Sequence, residues 1–86
     1  MNKYEVLVFE RSSLGDLVET ISKNLTMEKA LNVVQSMTGE RFDAHEVVKE
    51  FSSKGSFTTR EREIEYSEYP AYWRLRGYQI IKEESA

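Results

Sequence analysis

The side chains best able to do chemistry gather in one stretch. Glu61, Glu63 and Glu65 alternate along it, Arg60, Arg62, Arg74 and Arg76 interleave with them, and Tyr66, Tyr69, Tyr72, Trp73 and Tyr78 lie between and beyond. Three carboxylates on one strand face could hold a hard cation or share general acid–base work. Arginines beside aromatics could instead contact phosphates and stack bases. The same residues could anchor a protein interface, because Tyr, Trp and Arg are the side chains that dominate binding hot spots.

Strand register chooses among these. Arg62-Glu63-Ile64-Glu65-Tyr66 alternates, as does Trp73-Arg74-Leu75-Arg76, with Glu68-Tyr69-Pro70-Ala71 between them. A two-residue turn at Tyr69-Pro70 predicts Tyr66 opposite Trp73 and Ile64 opposite Leu75 on one face. On the other face it places Glu65 opposite Arg74 and Glu63 opposite Arg76. One face is then apolar, with Tyr66 and Trp73 in the core, and the other carries matched charges; a one-residue slip would destroy both. The turn requires a cis Tyr69–Pro70 bond, and a longer loop with a trans proline is the alternative. Phosphate affinity needs surplus positive charge, which salt-paired arginines do not supply. The register therefore favours a protein partner over RNA or single-stranded DNA, which stays the alternative. Tyr69, Tyr72, Arg74, Arg76 and Tyr78 are the candidate partner-binding residues, with Tyr69 and Tyr72 the two that have no core role.

Other candidate chemistry is sparse. His45 is the one histidine; it falls in the first turn of the expected second helix, and no nucleophile of known geometry accompanies it. Without cysteine, disulfides and thiolate metal sites are excluded. Ser12-Ser13-Leu14-Gly15 and Lys54-Gly55-Ser56 are too short to cradle a phosphate, and no nucleotide-binding or nucleophile-elbow motif occurs. Asn24-Leu25-Thr26 fits a glycosylation sequon, but Thr26 is explained as a helix cap. No catalytic residue, cofactor or metal is expected.

The elements that must position these residues follow from periodicity. Tyr4 to Phe9 is β-branched and aromatic on both faces, as in a covered central strand. Ser12 to Asp16 reads as a turn and Leu17 to Lys23 as the returning strand, so residues 3–23 predict a hairpin with a loop of about five residues. Thr26 caps a helix over about 27–38, with Ala30, Leu31, Val33, Val34 and Met37 on one stripe and Gly39 as its stop. Asp43 with Glu46 forms a capping-box variant, and Phe42 with Val47 a hydrophobic staple, for a second helix over about 44–52. Gly77 marks a bulge, beyond which Tyr78 and Ile80 rejoin the apolar face. Residues 83–86 are expected to fray. The order β-β-α-α-β-β predicts one α+β domain over residues 1–86, an antiparallel sheet of about four strands on two helices.

Composition bounds the rest. Eighty-six residues, 40% apolar, suit one domain of modest stability. The net charge is −3, with 12 basic and 15 acidic side chains. The deficit lies in residues 1–50, which hold six basic and nine acidic groups, whereas residues 51–86 are balanced at six each. Neither half resembles a tail that binds nucleic acid or an anionic membrane. No apolar stretch is long enough to span a bilayer, and MNKYEVLVFE predicts no signal peptide, so a cytoplasmic location is expected. These features fit a small non-enzymatic inhibitor or adaptor, of the kind that phages and mobile elements encode, that occupies the surface of another protein. An exposed edge strand leaves a homodimer open.

Overall fold

The computed structural model describes residues 3–83. The elements run β1 (Tyr4–Ser12), β2 (Gly15–Leu25), α1 (Met27–Thr38), α2 (Ala44–Lys54), β3 (Ser56–Thr58), β4 (Arg62–Glu68) and β5 (Ala71–Lys82). All five strands form one antiparallel sheet in the order β2-β1-β5-β3, with β4 also on β5. This is the two-layer α+β arrangement expected, with one strand more than the count of about four. The short β3 escapes a periodicity argument because three residues cannot establish one.

Both helices start where their caps place them. The Thr26 hydroxyl accepts from the Lys29 N–H at 3.2 Å, and the Asp43 carboxylate accepts from the His45 N–H at 2.8 Å. Each cap satisfies a donor that the first helical turn leaves free. Gly39 and Gly55 end the helices at φ of 72° and 78°, a left-handed conformation that any other L-residue adopts only with strain. The second helix runs two residues past the expected boundary, to Lys54.

The helices cover only part of one sheet face. Val6, Ala30, Val34, Val47, Phe57, Tyr78 and Ile80 form the buried core, with Tyr4, Val8, Leu25, Met27, Leu31, Val33, Phe42 and Phe51 packed around it. Tyr4 meets Phe51, and Phe42 meets Phe57, edge to face at centroid separations of 5.6 and 5.3 Å. Thr59 secures the start of the β3–β4 connection: its N–H donates to the Tyr78 carbonyl and its hydroxyl accepts from the Tyr78 N–H, each at 2.9 Å. Beyond this core β1, β2, β4 and β5 continue as a ribbon without helical cover. The molecule accordingly measures 50 × 29 × 23 Å. Its radius of gyration is 14.3 Å, against about 12 Å for a compact chain of this length.

Both hairpins differ from expectation in detail. β1 and β2 are joined by Ser13-Leu14 alone rather than by about five residues, because pairing continues to Ser12 and Gly15. Their register shifts twice further on, near Ile21 and before Leu25, and Asn24 takes a φ of 60°. In the C-terminal hairpin the Tyr69–Pro70 bond is cis. Tyr66 lies opposite Trp73 and Glu65 opposite Arg74, as the alternation predicts. A bulge at Ile64 then slips the strand by one residue. Glu63 faces Leu75 and Arg62 faces Arg76, so the expected pairs Ile64–Leu75 and Glu63–Arg76 do not form.

That slip has a physical reason. Ile64 turns to the helix side, where it lines a cleft with Met37 and Tyr78. Arg62 reaches Glu40 and the Thr38 carbonyl at the end of α1. A straight strand would offer these contacts to solvent. β5 itself runs unbroken through Gly77, so no bulge occurs there. Glu83 is held, its N–H donating to the Lys3 carbonyl and its carboxylate accepting from the Asn24 N–H. The remaining three residues of the expected frayed end lie outside the described residues.

Candidate partner-binding surface

Alternation along β5 sorts the candidate residues. Tyr72, Arg74, Arg76 and Tyr78 stand in one row on the helix-side face, and Tyr69 sits at the hairpin tip. Burial grades the row. Tyr78 is 7% exposed and part of the core, so it is withdrawn from the set a partner could reach. Tyr72 is half-buried, whereas Tyr69 is 92% exposed.

The two arginines are occupied. Glu10, the next helix-side residue of β1 after Val8, lies between them. Arg74 places Nη2 at 3.1 and 3.0 Å from its two carboxylate oxygens, and Arg76 reaches Oε1 through Nε at 2.8 Å and Nη2 at 2.6 Å. Arg74 also donates to Glu65 at 3.1 Å. The Arg76 hydrogen bonds hold the Glu10 carboxyl below its usual range; burial opposes this, and Arg74 adds to it. Both guanidiniums are in turn pushed above their ordinary value, chiefly by hydrogen bonding to Glu10.

The expected partner of Arg74 is thus present, but the expected partner of Arg76 is not. Glu63 has moved to the other face, and Glu10 takes its place from a strand more than sixty residues away. The three alternating glutamates do not share a face either. Glu61 leaves the strand to bridge Arg11 at 2.9 Å, Glu63 points to the open side, and Glu65 points to the helix side. Among the described residues no three His, Cys, Asp or Glu side chains converge as a metal would require. His45 is exposed on α2.

The opposite, uncovered face holds what the sequence reading missed. Tyr66 and Trp73, expected in the core, are 61% and 39% exposed there, because no helix reaches that side of the ribbon. Leu7, Phe9 and Leu75 share the face, and Val18 of β2 stands opposite Phe9. Phe9 also lies opposite Gly77, and its ring occupies the space a side chain at Gly77 would need: a Cβ there would fall 2.3 Å from Phe9 Cζ. The glycine signal was legible in the sequence. Its meaning required knowing that Phe9 is its neighbour.

No protein-family model matches the chain, and neither curated proteins nor solved structures yield a match. Among the described residues no helix is long and apolar enough to cross a membrane.

Proposed function

We propose that the chain is a non-enzymatic protein-interaction module that engages its partner with the distal ribbon, led by the C-terminal hairpin. One observation carries this reading: Arg74 and Arg76 are neutralised by Glu10 and Glu65, and Arg62 by Glu40, while the hairpin's aromatics Tyr66, Tyr69 and Trp73 are exposed. Exposed aromatics on a rigid strand pair suit hot-spot anchoring, since they offer large contact area at small entropic cost. A binder of phosphates would leave its guanidiniums free. One strand of the hairpin, β5, is also paired to β1, so the hairpin starts from the sheet and needs less ordering on binding than a free loop.

The test is capture of partners from the native host by the wild-type chain and by a Tyr69→Ala/Tyr72→Ala variant. Loss of a specific protein with an unchanged melting temperature is expected. Capture that survives moves the interface away from the tip. Tight, salt-sensitive binding of single-stranded RNA by the wild type, with no protein captured, replaces the reading with nucleic-acid binding.

A further inference from the structure

We infer that the sheet face opposite the helices receives a protein segment that presents a basic side chain among apolar ones. The inference rests on the protein-binding reading above and names the chemistry of the partner. The face carries a concavity of about 440 Å³. Its floor is the Phe9 ring, laid toward Gly77 where a side chain is missing. Val18, 63% exposed, stands on one side of the ring, and Gln79 with Thr58 on the other. The Arg11–Glu61 ion pair closes one end, and Asp16 lies beside Arg11 on β2.

Charge selects the occupant. The cation in the concavity, Arg11, already answers Glu61, whereas Asp16 and Glu63 on the same face have no ion pair among the described residues. The uncompensated charge around the apolar floor is therefore negative. An aromatic face flanked by a carboxylate fits a guanidinium or ammonium group, which the ring attracts through its quadrupole and the acid through a charge-assisted hydrogen bond. Trp73, Tyr66 and Leu75 extend the apolar ground on which the rest of the segment would lie. A second copy would bring its own acids against these, and a polynucleotide its phosphates; both are repelled.

Two synthetic amphipathic peptides test this, identical in their leucines and carrying either arginines or glutamates at the polar positions. Each is titrated into the isotope-labelled full chain and followed by amide chemical shifts. The arginine peptide should bind and shift Phe9, Val18 and Trp73, and the glutamate peptide should not. An Asp16→Lys/Glu63→Lys variant, altered at exposed positions and checked for its folded spectrum, should lose about tenfold or more in affinity. Equal response to both peptides, no response to either, shifts confined to the helices, or indifference to the charge reversal overturns the inference. So does binding of poly(U) at the same amides, or a dimer by sedimentation that uses them. A host protein whose capture needs Tyr69 and ignores the charge reversal ends this inference alone, leaving the interaction module standing; failure of all protein capture ends both.

Discussion

The two halves of the sheet are held by different forces. Under the helices, Val6, Val34, Val47 and Ile80 are sealed from water, and burial of each contributes about 1.5–3 kcal/mol. In the ribbon beyond, Val18, Tyr66 and Trp73 are exposed, and order comes from ladder hydrogen bonds, the Glu10–Arg74–Arg76 cluster and the Phe9 ring over Gly77. Apolar burial is largely indifferent to pH and salt, whereas ion pairs with a wet side are screened and titratable. One chain thus contains a half sealed by apolar packing and a half whose apolar side chains face solvent, and β1 and β5 run through both.

That contrast can be broken in four places. The largest effect is expected from Ile80→Ala, which opens a cavity in the covered half; a loss of about 2–5 kcal/mol in urea unfolding is expected, enough to unfold much of a domain this small. A cost near zero would show that the helices do not seal the core. Gly77→Ala comes next. Its methyl collides with the Phe9 ring, and displacing a packed ring should cost about 1–3 kcal/mol. Phe9→Leu in the same chain should recover part of that loss; two additive losses would show that the ring does not lie there.

Glu10→Gln should loosen the ribbon more than the core, raising amide exchange along residues 71–76 before that of Val34 or Ile80. The pH dependence follows from the sign of its shift. The folded carboxyl is held below its usual range by Arg76, so its contribution is fully present above the unfolded pKa of about 4.3 and is lost as pH falls through the lower folded value. Wild type and Glu10→Gln should therefore differ near neutrality and converge in acid, as followed by thermal melts across that range. The variant also unpairs Arg76, and a gain of poly(U) affinity would show that Glu10 is what keeps the hairpin from binding phosphate. The smallest effect belongs to Tyr69→Ala. With the side chain 92% exposed, stability should stay within about 0.5 kcal/mol; a larger change would place the tip among the structural parts.

The legible parts of this fold are those governed by local chemistry. Thr26 and Asp43 cap the helices, Gly39 and Gly55 end them, and the alternation around Tyr69-Pro70 places Tyr66 against Trp73, because each of these depends on residues a few positions apart. The candidate site was legible only in part. Tyr69 is as exposed as a turn residue should be, whereas Tyr78, a candidate contact that alternation also sets on the apolar face with Ile80, lies in the core, and Tyr66 and Trp73, expected in the core, are exposed. Alternation shows which residues share a face. It does not show which face a helix will cover, or how far along the strands that cover extends.

Sequence alone therefore determined the element order apart from the short β3, the caps, the hairpin pairs nearest the turn and the neutral balance of the C-terminal segment. Tertiary structure decided which face is wet, that Glu10 and not Glu63 answers Arg76, that Ile64 bulges toward α1, and that Gly77 makes room for Phe9. The division follows sequence distance. Short-range spacing constrains hydrogen bonds within a turn or a hairpin, but a contact such as Glu10–Arg76 forms only when β1 and β5 come to lie side by side, and that adjacency is a property of the whole packed sheet.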